Sequence, residues 1–239
     1  MSAAESGEFE QLLARQRALD SQPPTAGDTE RLHALRAWQG ERLAHTYQDF
    51  ARERRYARAV AFFLNDLYGP QDFTRRDLEL RRALRPLRRA LPTSLLAVLA
   101  KAIELDLLTV ELDRAMLPQL ADGAITEATY AAAYRNLGRE ADRKRQIALT
   151  LSIGEDLERL VRDRWIRLAL RAAAMPARAA GFGVLQGFLE HGFAAFRRME
   201  NAQPLLIAIG ERETRLMEGL LRDPAAADPV TGTESAAHG

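Results

Sequence analysis

The chain has 239 residues, with 34 lysines and arginines against 33 aspartates and glutamates, which gives a formal net charge of +1. The length allows one large domain or two small ones, and the near-neutral charge provides no global field to attract nucleic acid or an anionic membrane. Because there is no cysteine, the sequence excludes a disulfide scaffold, cysteine-ligated zinc, an iron–sulfur cluster and a thiol nucleophile.

Helical periodicity extends over almost the whole chain, and no alternating strand pattern or hairpin signal of useful length interrupts it. Asp28 or Thr29 can cap the second helix, Gly138 can end the fifth, and Pro176 ends the sixth. The predicted helices span residues 8–19, 29–67, 75–91, 94–112, 125–137, 139–174, 177–199 and 204–222.

This pattern predicts an all-α fold: a multi-helix bundle of six to eight helices, two or three of them long. Residues 1–27 are predicted to form a short helix and a Pro-rich linker, residues 28–222 one all-α domain, and residues 223–239 a disordered tail. No stretch approaches the roughly 20 apolar residues that span a bilayer. Residues 1–20 lack the apolar run of a secretory signal, so we expect a cytoplasmic protein.

Arginines cover one face of the predicted helix over residues 75–91, opposite a leucine face. The simplest interpretation is a solvated face paired with acids on neighbouring helices. The alternative is a surface for phosphates, lipid head groups or an acidic partner. Nucleic acid is not favoured, because the chain has neither an overall basic charge nor base-reading residues. The candidate anion face consists of Arg81, Arg82, Arg85, Arg88 and Arg89.

Two acids, Asp106 and Glu213, fall on predicted apolar helix faces. A buried carboxylate needs a partner, and Arg76 or Arg143 can supply a guanidinium. Two interpretations stay open: a structural ion pair, or a polar pocket that binds a ligand or does acid–base work. With His191 at the margin of an aromatic helix face, the candidate pocket residues are Asp106, Glu213, His191 and Arg143.

The Glu30-x-x-His33 sequence has the spacing of a di-iron ligand pair, and Glu41 and His45 follow it. No second such pair exists, and Glu30, Glu41 and His45 lie opposite the apolar stripe of their helix, so we predict that they face solvent and bind no metal. A cofactor held by apolar contacts, such as haem, stays open, and the cofactor is unknown. Gly183 and Gly187 lie four residues apart and predict close helix packing.

Residues 62–77 read FFLNDLYGPQDFTRRD and contain the most distinctive motif in the chain, FFLxDLYGPxDFxxRD. This motif, together with residues 187–196 and the Arg212-Glu213 pair, resembles an uncharacterised family of bacterial all-helical proteins. The resemblance implies an all-α protein without an assigned activity. Polar residues at this helix corner either lock two helices together or form a pocket rim, namely Asp66, Tyr68, Asp72, Arg76 and Asp77.

These observations favour a non-catalytic binding, regulatory or scaffold protein, with a protein partner or self-association through a long-helix face. The alternative is a helical-bundle enzyme or a small-molecule or cofactor sensor whose pocket contains the buried carboxylates. A third hypothesis is an anion- or membrane-surface module that uses the arginine face of residues 75–91. An exposed apolar patch favours the first, and a polar cavity with an acid against an arginine favours the second.

Overall fold

The structure is a computed structural model that describes residues 3–64, 93–120, 123–181 and 183–222. Within these ranges it contains ten α-helices, one 3₁₀ turn and no β-strand, which confirms the all-α prediction. Eight of the ten helices exceed ten residues, in agreement with the predicted six to eight. They are α1 (Ala3–Asp20), α2 (Ala26–Thr46), α3 (Gln48–Arg52), α4 (Ala57–Phe62), α5 (Thr93–Met116), α6 (Glu127–Leu137), α7 (Glu140–Leu160), α8 (Arg164–Ala179), α9 (Gly183–Met199) and α10 (Gln203–Arg222).

The prediction of one long helix from residue 29 is wrong, because α2, α3 and α4 occupy the segment. The first break lies at Tyr47, although no proline or glycine is there. Arg212 of α10 stabilises this break. Its Nη1 donates to the Thr46 carbonyl oxygen over 2.5 Å, and its Nη1 and Nη2 pair with Asp49. A cation at a helix C-terminus satisfies carbonyls that lack helical partners. The break turns the Tyr47 side chain into the core.

The start of α2 also differs from the prediction. The capping residue is Thr25, whose hydroxyl oxygen accepts from the Asp28 backbone N–H over 3.1 Å, and not Asp28 or Thr29. Further along, Gly138 adopts the left-handed conformation (φ 63°) at the end of α6, which confirms its predicted capping role.

The helix predicted over residues 139–174 is likewise two helices, α7 and α8. Asp163 begins the second one, since its Oδ1 accepts from the Trp165 backbone N–H over 2.7 Å, as a capping side chain does. The helix α8 continues through Pro176 to Ala179, so the prediction that Pro176 ends it is wrong.

The two largest clusters of buried side chains meet along α10. One joins the end of α2, α3, α4 and α9 to the first half of α10, and it contains Tyr56, Phe196 and Leu205. The other joins α2, α6 and the second half of α10, and it contains Leu35 and Tyr130. Both α5 and α10 pack along α7. The helices α2, α5, α6, α7 and α10 therefore surround a common interior.

Close helix approaches occur at glycines other than the two predicted. A Cβ at Gly154 of α7 would lie 2.3 Å from Cδ2 of Leu206, and one at Gly192 of α9 would lie 2.8 Å from Cζ of Phe62. At Gly187 a Cβ would meet no described atom within 4 Å, and at Gly183 only the Arg178 side chain at 3.9 Å. Among the described residues, no neighbouring helix packs closely against Gly183 or Gly187.

The helix α1 packs against α5. Leu12 contacts the cluster of Ile103 and Leu107, and Arg15 forms an ion pair with Glu111. Among the helices of the described residues, none is both long enough and apolar enough to cross a bilayer.

Candidate functional site

A cavity of about 140 Å³ lies between α2, α5, α6, α7 and α10, beside the end of α4. One part of its wall is apolar and includes Leu43, Val60, Leu205, Ile209 and Met217. The polar part contains eleven side chains: Gln39, Arg42, Tyr47, Thr109, Asp113, Tyr130, Tyr134, Arg143, Gln146, Thr150 and Glu213. A concave interhelical site with an apolar body and a few convergent polar groups is typical of a small-molecule site.

Glu213 of α10 is the centre of the first polar group. Arg42 of α2 donates from Nη1 and Nη2 to the two carboxylate oxygens over 3.4 and 3.1 Å, and the Tyr47 hydroxyl donates to Oε1 over 2.9 Å. Burial and the Glu213 carboxylate raise the pKa of Tyr47, so this phenol stays protonated and donates. The side chains of Arg42 and Glu213 are each about one-fifth exposed (21% and 19%).

Asp113 of α5 is the centre of the second polar group and is fully buried. Its Oδ2 accepts from Nε of Arg36 over 3.1 Å, and its Oδ1 accepts from Nε2 of Gln39 over 3.3 Å. Burial raises the pKa of Asp113, and the charge of Arg36 opposes that shift.

Arg143 of α7 is buried, and its contacts in the described residues are with neutral groups. It donates to Oε1 of Gln146 over 3.3 Å and to Sδ of Met116 over 3.1 Å. Its guanidinium carbon lies 4.6 Å from the centre of the Tyr134 ring. Gln146 in turn donates to the Thr109 hydroxyl over 2.7 Å, so this chain of contacts joins α5, α6 and α7.

The cavity unites two of the four predicted pocket residues, since Glu213 and Arg143 both line it. Asp106 is half-buried on α5 outside the lining, and His191 is exposed on α9. The guanidinium partner of Glu213 is Arg42. The expectation that Arg143 pairs with it is therefore wrong, and Arg76 lies outside the described residues.

The other two candidate groups fall outside the described ranges. These are the helix-corner residues Asp66, Tyr68, Asp72, Arg76 and Asp77, and the arginine face of residues 81–89. As predicted, Glu30, Glu41 and His45 are exposed on α2. Within the described ranges, no three histidine, aspartate or glutamate side chains cluster so that they could hold a metal ion.

Sequence reasoning missed Arg42, Tyr47 and Asp113. A signal for Asp113 existed, because it lies seven residues after Asp106 and therefore two helical turns along the same face. The predicted apolar face of this helix consists of Leu95, Leu99, Ala102, Asp106 and Val110. The buried residues of α5 instead include Leu96, Ile103 and Leu107, one position further along the chain. The helix α5 contacts α1, α2, α6 and α7, so its buried surface is wider than one stripe.

An apolar surface lies elsewhere, on α8. The exposed fractions of Trp165, Leu168 and Met175 are 64%, 57% and 81%. Their spacing places all three on one side of the helix, while Ile166 packs into the core. The helix contains four arginines, at positions 164, 167, 171 and 178, and no acidic residue.

Residues 18–227 match a family model described as a domain of unknown function (DUF8198). This match agrees with the resemblance to an uncharacterised family. No curated protein and no solved structure matches the chain.

Proposed function

We propose that this chain, which belongs to the DUF8198 family, is a non-catalytic binding protein that holds a small molecule in the cavity between α2, α5, α6, α7 and α10. The observation that carries the proposal is the cavity itself, where an apolar wall meets the polar groups centred on Glu213, Asp113 and Arg143. Its volume of about 140 Å³ is close to that of engineered cavities of about 150 Å³ that bind benzene.

Several polar groups of the wall support binding over catalysis, because their carboxylate and hydroxyl oxygens already make hydrogen bonds within the protein. Glu213 accepts from Arg42 and Tyr47, so its carboxylate is not available as a general base. The Thr109 hydroxyl accepts from Gln146, and the Thr150 hydroxyl donates to a backbone carbonyl. The wall therefore provides a shape and charges that can bind and orient a ligand.

The position of the cavity supports a regulatory role. Its wall takes residues from α2, the second helix, from α10, the last described helix, and from α5, α6 and α7 between them. A ligand that binds only the folded arrangement stabilises all five helices together. Binding of a ligand in the cavity is therefore linked to the rigidity of the whole helical bundle.

The first test is native mass spectrometry of the protein purified from its own host, together with an absorption spectrum. We expect a retained small molecule on the wild type. Thr150→Met places extra volume in the cavity and should remove the retained mass, whereas Ala148→Met, on the exposed side of the same helix, should keep it. A retained mass that survives Thr150→Met contradicts the proposed location.

A second candidate function is protein binding through the apolar face of α8, formed by Trp165, Leu168 and Met175. Exposed apolar surface on a helix with four arginines and no acid complements an acidic amphipathic helix. A second copy of the same face would bring arginine against arginine, so the charge favours a different protein.

An acidic helical peptide with leucines at heptad spacing tests this second candidate. It should bind the wild type with an affinity that falls as salt rises. Leu168→Asp should abolish binding, while Ile207→Asp, at an apolar side chain on α10 that is 56% exposed, should not. Sedimentation equilibrium that shows a dimer broken by Leu168→Asp would instead identify the face as a self-association surface.

A further inference from the structure

One charged group of the cavity wall has no ion-pair partner among the described residues. Four charged side chains line the cavity: Arg42, Asp113, Arg143 and Glu213. Glu213 has Arg42 as its partner, and Asp113 has Arg36. Arg143 forms no ion pair with a carboxylate of the described residues; its hydrogen bonds are to Gln146 and Met116.

The contacts of Arg143 are weak for a group that is only 8% exposed. The Met116 thioether is a poor acceptor, and the Tyr134 ring offers only a cation–π contact. Asp113 acts on Arg143 through space and does not touch it. Since a buried charge is costly without a hydrogen-bonded counter-charge, this guanidinium is suited to an incoming anion.

Another donor at the cavity has no hydrogen-bond partner among the described residues. Nε of Arg42 is buried and makes no hydrogen bond, although both terminal nitrogens of the same guanidinium bind Glu213. Tyr134 also lines the cavity, and its hydroxyl makes no hydrogen bond to another described residue. The buried side-chain atoms without partners in the described residues include Arg42 Nε and no carboxylate or amide oxygen. A ligand that supplies acceptors fits these donors.

We infer that the bound molecule is a small monocarboxylate with an apolar body, and that Arg143 holds its carboxylate. This inference rests on the proposed function and names the ligand class of the same cavity. The single positive charge of Arg143, which has no carboxylate partner among the described residues, matches a single negative charge better than a phosphate dianion. The apolar body lies against Leu43, Val60 and Ile209, and the cavity volume limits it to about the size of a benzene ring.

Titration calorimetry with benzoate and hexanoate, each beside its uncharged amide, tests the inference. Both carboxylates should bind the wild type at least tenfold more tightly than benzamide and hexanamide do. Arg143→Gln should weaken carboxylate binding at least tenfold and change amide binding less than threefold. Lys144→Gln removes the same charge from the neighbouring exposed position and should leave all four affinities unchanged.

Two results overturn the inference, and they have different meanings. If the amides bind the wild type as tightly as the carboxylates do, or if Arg143→Gln binds carboxylates normally, the ligand class is wrong and the cavity function stands. If none of the four probes binds at 10 mM, the ligand class is wrong as well, and the retained mass on the wild type and on Thr150→Met decides separately whether the cavity function stands. Arg143→Lys guards against misfolding, since it keeps the charge, loses the planar fork and should give an intermediate affinity.

Discussion

The guanidinium of Arg42 faces the carboxylate of Glu213 with two parallel contacts of 3.1 and 3.4 Å, and these residues are separated by 171 positions in the chain. The pair joins α2 to α10 at the wall of the cavity. Each side chain keeps about one-fifth of its surface exposed, so the pair lies between the surface and fully buried classes of ion pair.

Glu213→Leu should destabilise the protein by about 2–3 kcal/mol, because it leaves the Arg42 guanidinium without its counter-charge. The double variant Arg42→Met/Glu213→Leu should recover much of that loss, since it removes both charges. Urea unfolding of the wild type, both single variants and the double variant forms a thermodynamic cycle. A coupling free energy near zero would show that the contact contributes nothing to stability.

Gly154→Ala should destabilise the protein by about 1–2 kcal/mol. In a helix interior alanine is normally more favourable than glycine by about 1 kcal/mol, so the expected effect has the opposite sign. The reason is that the new Cβ would lie 2.3 Å from the Leu206 side chain. Gly187→Ala is the matched control in α9, because its Cβ meets no described atom within 4 Å, and it should stabilise instead. Thermal unfolding of both variants measures the contrast. Equal shifts of the same sign would disprove the close contact.

Helix boundaries with local causes could be predicted from the sequence. Gly138 ends α6 because a left-handed position favours glycine, and that preference is visible in the chain. The break at Tyr47 could not be predicted, because Arg212, far along the chain, holds it. Asp163 was a local signal for the start of α8 that was overlooked within a long helical pattern.

The candidate site was predictable to a similar degree. An acid on an apolar face identified Glu213, because burial must be compensated wherever the partner lies. Its partner was not predictable, since the choice among 32 arginines depends on which helices pack together. Asp113 was missed for a related reason: α5 contacts helices on more than one side, so its buried face is wider than a single stripe.

The two carboxylates Asp113 and Asp49 should give opposite pH dependences of stability. Burial raises the pKa of Asp113 above its ordinary value of 3.8, so the folded state binds a proton that the unfolded state has lost. This contribution makes stability fall as pH rises from 3.8 through the raised pKa. Arg212 lowers the pKa of Asp49 below 3.8, so the stability that it provides is lost as pH falls through that lowered pKa.

Asp113→Asn should therefore reduce the decline of stability above pH 3.8, and Asp49→Asn should reduce the loss at lower pH. The free energy of unfolding in urea, measured every half unit from pH 3 to pH 8, gives both slopes. Each variant acts as the control for the other, because both remove one negative charge. If Asp113→Asn steepens the decline above pH 3.8, the sign assigned to that group is wrong.

Tyr47→Phe and Tyr134→Phe separate a phenol that holds the fold from one that faces the cavity. Tyr47→Phe removes a hydrogen bond to the Glu213 carboxylate and should cost about 1.5 kcal/mol of stability. Tyr134→Phe keeps the aromatic face beside Arg143 and loses a hydroxyl without a described partner, so stability should change by less than about 0.5 kcal/mol. Benzoate affinity should fall in Tyr134→Phe, because Tyr134 lines the cavity and the substitution removes a possible donor to the carboxylate. Unfolding in urea and calorimetry of both variants check this, and a reversed pattern, with Tyr134→Phe the less stable variant, would assign the structural role to the other ring.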